Sequence, residues 1–312
     1  MQHELIVETL KTRLDKYLAE QLPAISRSQI QRDIEGGCVE VNGAIVTESK
    51  FVVRINDKIV YKPSEVASDE LKATNTPLKI LYNNHGLLII DKPAGMTVHP
   101  GAGFKGETLA SALLFMFKDI HLVGEDHRPG IVHRLDKETS GVILVATTPE
   151  MYEHLKDAFL ERKVKKEYIA LVYGKLEKSY GFIETPIGKS KSDFRKQTTK
   201  NPVEGKEAIT EYKVLEELRH GVDIYTLIRV KLHTGRTHQI RVHLNSIGNP
   251  LMGDSLYGNK KTVLKGLDRQ FLHAKKIEVQ LPSKTWIEAE SELADDLKDV
   301  LKSLGSKIVN QL

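Results

Sequence analysis

The chain is 312 residues long, with 40% hydrophobic and 28% charged residues and a formal charge of +4 at neutral pH. That composition excludes a disordered tail protein, a collagen-like fibre and a coiled coil, and the length suits two unequal domains. Cys38 is the single cysteine, which removes any internal disulfide framework and any paired-cysteine zinc or redox site.

Such cysteine usage fits a reducing compartment, and the start MQHELIVETL shows no secretory pattern. The longest apolar runs, LLII at 87–90 and VILVA at 142–146, are strand-length and too short to span a bilayer. The expectation is a soluble, cytoplasmic protein with no membrane partner.

Residues 1–75 read as a separate unit. Leu14, Tyr17, Leu18 and Leu22 recur at helical spacing from Arg13 onward, and Pro23 stops the pattern. Ser26 is suited to cap a second helix, with Ile30 and Ile34 on one face and Gly36-Gly37 as its end. CVEVNGAIV (38–46) holds two β-prone runs around Asn42-Gly43, a strong hairpin signal, and DKIVY (57–61) supplies a further strand. The polar stretch 62–77 reads as a linker.

From residue 76 to 312 strands and helices interleave. LLIID (87–91), VILVAT (142–147), YIALVYG (168–174), DIYTLIRVKLH (223–233) and KKIEVQLP (275–282) read as strands. TLASALLFMF (108–117) and PEMYEHLKDAFLERK (149–163) read as helices, the second with Pro149 in its first turn. No solenoid repeat is present, and the absence of a regular βαβ rhythm argues for an α+β fold.

A GxGxxG match at Gly101, Gly103 and Gly106 suits a dinucleotide site poorly. The preceding strand ends near Asp91, and DKPAGMTVHP intervenes with two prolines, so the glycines do not join strand to helix. No cofactor is expected. GIVHRLDKETSGVILVAT (130–147) sets His133, Arg134, Asp136, Lys137 and Glu138 directly before an apolar strand, where charge is costly unless it pairs or functions. A carboxylate there suits a nucleophile or base, and Asp136 with Glu138 leaves a two-carboxylate glycosidase open. In LHTGRTHQIRVHLNSIG (232–248), Thr237 is suited to cap a helix carrying Ile240, Leu244 and Ile247. His233, His238 and His243 are five residues apart, a spacing that turns them away from one another, so no metal site is expected. Arg236 and Arg241 are better read as fixed cations beside an anion, either a phosphate or a catalytic carboxylate.

HRLDKETSG (133–141), KKEYIALVYG (165–174) and HTGRTHQIRVH (233–243), in this order, resemble the three motifs of the RluA-type pseudouridine synthases. DKPAGMTVHP (91–100) and NPLMGDSLYG (249–258) agree as well, and RSQIQRDIEGGCVEVNG (27–43) resembles the S4 RNA-binding domain found in the subgroup that acts on large-subunit ribosomal RNA. The resemblance implies a small N-terminal S4-like domain and a catalytic domain built on a mixed, mainly antiparallel sheet flanked by helices. It implies isomerisation of uridine to pseudouridine in RNA, the N–C glycosidic bond giving way to a C–C bond, without a cofactor.

By position Asp136 would be the catalytic aspartate, Arg241 the arginine paired with it, and Tyr168 the tyrosine that packs on the target base. Ile240 would line the base pocket, and Arg134 would enter the gap that the extruded nucleotide leaves in the stack. Arg27 and Arg32 would present the S4-like helix to RNA, with Arg236 as a further RNA contact. A basic loop after the tyrosine motif, here with Arg195 and Lys196, would grip phosphates. SDFRKQT departs from the more usual proline-containing form of that loop. The charge distribution agrees: residues 1–75 hold ten basic and twelve acidic residues, whereas 160–200 hold eleven Lys or Arg against five Asp or Glu. The competing readings are a non-catalytic RNA-binding assembly factor and the same chemistry on transfer RNA.

Overall fold

The computed structural model describes residues 2–8, 12–23, 25, 27–64, 71–100, 106–125 and 127–312. Ser26, Gly101, Gly103 and the centre of the expected linker lie outside the described residues. The chain folds as two compact units, Met1–Glu70 and Leu71–Leu312. Residues 71–75 thus fall with the second unit rather than the first: Leu71 packs on its core, and the Thr74 N–H donates to the Ser111 carbonyl.

The first unit runs β1 (His3–Ile6), β2 (Thr12–Arg13), α1 (Leu14–Gln21), α2 (Arg27–Glu35), β3 (Val39–Val41), β4 (Ala44–Ile45), β5 (Val52–Val53) and β6 (Lys58–Tyr61). A four-stranded sheet in the order β1-β6-β3-β4 carries the two helices, and β2 pairs with β5. Asn42 and Gly43 adopt positive φ, as the tight β3–β4 turn demands. Leu14, Tyr17 and Leu18 of α1 meet Ile30 and Ile34 of α2 over Val39, Ile59 and Tyr61, so the helical spacing in the sequence is the core of this unit.

The second unit opens with β7 (Lys79–Asn84), β8 (Leu87–Lys92), α3 (Leu109–Met116), β9 (Gly124–Glu125), β10 (Arg128–Pro129), β11 (Ser140–Ala146), α4 (Pro149–Leu160) and β12 (Lys165–Tyr173). It continues through β13 (Tyr180–Glu184), β14 (Ile187–Lys189), β15 (Gln197–Thr198), β16 (Val203–Lys206), β17 (Ile209–His220), β18 (Asp223–Leu232), α5 (Gln239–Ser246), β19 (Leu272–Gln280), β20 (Trp286–Glu290) and α6 (Asp295–Ser303). Thr108 and Thr148 cap α3 and α4 by accepting from Ser111 and Met151 N–H groups.

Nine strands form one sheet in the order β13-β17-β18-β12-β19-β11-β8-β7, with β20 also on β19. Every described pairing in it is antiparallel except β11 with β19. The fold is therefore α+β with a mixed, mainly antiparallel sheet. Both faces are covered. On β12, Tyr168, Ala170 and Val172 face a core with α3, α4 and α5, while Ile169 and Leu171 face a second core with α6. Burial on both sides explains why YIALVYG reads as an unbroken apolar run.

Several elements went unread in the sequence. β17, twelve residues long, carries Glu and Lys on its open positions, and a register shift between Val214 and Glu216 breaks the alternation that marks a strand. Part of the basic stretch read as a loop is a small sheet, β15-β14-β16. Thr237 does not cap α5: the cap position is His238, in the left-handed region at φ 55°, and the Gln239 side chain accepts the Arg236 N–H. Ile247 lies just beyond the helix and is exposed. In α6, Leu297, Val300 and Leu301 recur on one buried face, and Leu304 just past its end joins the same core.

Candidate active site

The parallel junction of β11 and β19 positions the site. Gly141 has φ +109°, and a Cβ there would lie 2.1 Å from the Ala274 carbonyl oxygen, so only glycine lets the two backbones meet. The turn ahead of β11 therefore ends at a fixed point in the middle of the sheet. Asp136 sits on that turn, with the Thr139 N–H donating to its carbonyl. Lys92 is fully buried behind it and donates to the carbonyls of Pro93, Met96 and Lys137 at 2.8, 3.0 and 3.2 Å. Burial pushes the Lys92 ammonium down to about 7.

Asp136 opens onto a cleft of about 690 Å³, within the range of small-ligand sites. Arg241, from α5, reaches it: Nη1 donates to Asp136 Oδ2 at 2.8 Å, while Nε and Nη2 donate to Asp254 at 2.8 and 2.9 Å. Asp254 in turn accepts from the N–H groups of Leu256 and Tyr257. Burial alone would weaken the Arg241 charge, but the two carboxylates outweigh it and hold the guanidinium more firmly protonated than usual. Burial likewise opposes charge on Asp254, yet the bonds from Arg241 keep its carboxyl below the ordinary range. One end of the arginine is thus clamped so that the other end is aimed.

Oδ1 of Asp136 has a different neighbour. His238 Nε2 stands 3.8 Å away, and its Nδ1 is 2.8 Å from the Tyr257 hydroxyl. That hydroxyl also accepts the Gln197 N–H, which fixes it between the basic loop and the His238 ring. Burial lowers the His238 pKa, with Asp136 opposing the shift. The Tyr257 ring lies 5.1 Å from the Arg241 guanidinium carbon.

Tyr168 and Ile240 are buried and line the same cleft. Burial, then the charge of Asp136, raises the Tyr168 pKa, so the phenol keeps its proton at neutral pH. Arg134 is exposed on the rim, and Arg236 lines the wall with Nε donating to the Glu207 carbonyl. Of the candidates, Asp136, Tyr168, Arg241, Arg134, Arg236 and Ile240 are brought together. Arg195 and Lys196 lie outside the lining; the Arg195 guanidinium holds Asp193. In the first unit Arg27 is an ion-pair partner of buried Asp15, and Arg32 is exposed.

Among the described lining residues Asp136 is the one carboxylate, so Glu138 does not complete a pair across the cleft. His233, His238 and His243 go to separate partners, namely Glu211, Tyr257 and Thr210. Among the described residues no group of three His, Cys, Asp or Glu could hold a metal ion. Of these, no helix is long and apolar enough to cross a membrane. Sequence reasoning gave no role to Asp254, Tyr257, His238 or Lys92. NPLMGDSLYG and DKPAGMTVHP held the signal for three of them, as charge and aromatic residues amid turn-forming ones.

Comparison with known proteins gives the family. The RNA pseudouridylate synthase family pattern matches residues 86–246, and the S4 domain pattern matches 12–59. A protein of Aquifex aeolicus (strain VF5), named an uncharacterized RNA pseudouridine synthase, is 42% identical over 83% of this chain and 81% of its own length. The ribosomal large subunit pseudouridine synthase D of Nitrosomonas europaea is 42% identical over 94% of this chain and 84% of its own. The solved structure of human RNA pseudouridylate synthase domain containing 4 matches with a TM-score of 0.57 at 26% identity, covering 73% of this chain and 93% of that one. With an S4 domain ahead of a cleft built around Asp136, Tyr168 and Arg241, and relatives matched over most of its length, the chain belongs to the RNA pseudouridylate synthase family and is an RNA pseudouridine synthase.

Proposed function

We propose that the protein converts specific uridines of large-subunit ribosomal RNA to pseudouridine, with Asp136 as the essential carboxylate. The observation that carries this reading is the placement of Asp136. One oxygen is held by an arginine that is itself anchored by Asp254, and the other faces a cleft of nucleoside size. The reaction breaks N1–C1′ and forms C5–C1′; C5 loses a proton and N1 gains one. Whether the carboxylate adds covalently or removes a sugar proton, it must stand as an anion beside the ribose, and Arg241 keeps it there.

Tyr168 and Ile240 form the apolar sides of the uracil site, and the neutral phenol next to Asp136 is positioned to share a proton with the base. Arg134 on the rim fills the gap in the RNA stack once the nucleotide is extruded, with Arg236 as a second contact. Arg195, Lys196 and the S4 residue Arg32 are assigned to phosphate positioning. Arg27 contributes through its exposed half, since Asp15 holds its guanidinium. The large-subunit target is supported by the S4 match and by the names of the relatives.

The test is Asp136→Asn with pseudouridine mapped by base-specific chemical labelling. On a large-subunit transcript the wild type is expected to form pseudouridine and the variant to lose at least ~10³-fold in kcat, with RNA affinity retained. Full activity in the variant defeats the assignment of Asp136. Activity on transfer RNA transcripts alone replaces the target, and no turnover on either RNA leaves a non-catalytic RNA-binding role.

A further inference from the structure

Seven Lys or Arg residues line the cleft against one carboxylate. Most are committed. Arg128 pairs with Glu125, Lys156 with Glu153, Arg162 with Glu207, and Arg236 and Arg241 are bound as described. Of the seven, two have no ion-pair or hydrogen-bond partner among the described residues: Arg134, already placed on the rim, and Lys166. Lys166 is half-buried on β12 and lines the cleft together with Tyr168, across the register shift that follows Glu167. Its Nζ lies 5.5 Å from the Phe159 ring of α4, and a Cβ built on Gly235 would be 3.9 Å from it. The ammonium therefore sits between an aromatic ring and the backbone of the HTGR segment, facing the space that Asp136 faces.

We propose that Lys166 binds the phosphate adjoining the nucleotide that enters the cleft. The proposal rests on the reading of this cleft as the uridine site. A half-buried ammonium without a partner is costly, and an anionic ligand offsets that cost. Phosphate is the anion RNA carries, and a compact point charge suits it better than it suits the planar edge of a base. Burial pushes the Lys166 ammonium down to about 8, so its charge is present at neutral pH and is lost as pH rises past that value. The titratable and charged groups that share the cleft with it include His133, Arg134 and Asp136 before β11, Lys156 on α4 and Arg162 just after it, Tyr168 on its own strand, His233, Arg236 and His238 after β18, and Arg241 on α5. His133 stays neutral across this range, because burial and then Lys166 hold it at about 3 while it accepts the Leu144 N–H.

The experiment uses the full chain and a large-subunit RNA transcript, with binding measured in an Asp136→Asn background and turnover in the wild-type background. Lys166→Gln is expected to lower the slope of log affinity against log salt by about 1 and to weaken binding about fivefold at 0.15 M salt. KM rises by the same factor with kcat retained. Lys166→Arg should bind like the parent at pH 7, and it should keep its affinity at pH 9, where the parent weakens. That arm remains decisive if the Gln variant folds poorly. An unchanged salt slope and KM in Lys166→Gln overturn the proposal. A loss confined to kcat also overturns it, by placing Lys166 in the chemistry. If Asp136→Asn turns over normally, the parent reading has failed instead, and the salt slope then still reports on Lys166 alone.

Discussion

Each unit sets an aspartate beside arginine, Asp15 in the first and Asp136 in the second, and the two are built to opposite ends. Asp15 in α1 has no exposed side-chain surface and accepts from Arg13, Arg27 and Gln31, so both oxygens are filled. Burial raises its pKa, but the bonds from Arg13, Gln31 and Arg27 prevail and bring it down to about 2. Asp136 has 18% of its side chain exposed and one direct ion pair. Its second oxygen has His238 at 3.8 Å, beyond hydrogen-bond reach. The lesson lies in the partner. The arginines on Asp15 are themselves 41% and 50% exposed and serve the acid, whereas Arg241 is 7% exposed and is held by Asp254 before it meets Asp136. A carboxylate whose cation is anchored elsewhere can keep an oxygen open for substrate.

Four substitutions sharpen this contrast, ordered by their effect on turnover. Asp136→Asn removes activity by at least ~10³-fold with little change in melting temperature, since its open oxygen contributes no packing. Asp254→Asn frees the guanidinium to rotate; kcat is expected to fall ~10²-fold, as misplacement of a catalytic group by about an ångström does, and urea unfolding should show a loss of about 3 kcal/mol. An Asp254→Asn enzyme with normal kcat would show that the anchor is dispensable. Tyr257→Phe deletes the bonds to Gln197 and His238 but leaves the ring beneath Arg241, and kcat/KM should drop about fivefold.

Asp15→Asn leaves kcat unchanged and instead costs about 1–2 kcal/mol in urea unfolding at pH 6, because its half-exposed arginines can return to water. The sign of its pH dependence follows from a depressed folded pKa. The stability from Asp15 is present above pH 4 and is lost as pH falls toward 2, so the gap between variant and wild type should narrow at pH 3. A constant gap would show that the carboxylate charge is not what Asp15 contributes.

Legibility followed periodicity. The α1 and α2 stripes, the Asn42-Gly43 turn and the β8, β11, β12 and β18 runs were visible because burial on one face or both leaves a spacing in the sequence. β17 escaped because its bulge resets the alternation, and the cap of α5 was misplaced because His238 adopts a left-handed conformation that residue preference does not predict. At the site, Asp136, Tyr168 and Arg241 came from motif resemblance and local charge, and the fold brings them to one cleft.

By itself the sequence determined two units, an α+β catalytic body, the RNA pseudouridine synthase family and the residues that converge on Asp136, since each of these is written in short stretches of chain. The tertiary structure decided which cations are spent and which are open. Asp254 lies 118 positions after Asp136, and Phe159, Lys166 and Gly235 come from three separate segments. Their relation depends on the β11–β19 junction and the packing of α4 and α5 on the sheet. Electrostatic partnership is a matter of a few ångströms in space, and no local pattern records it.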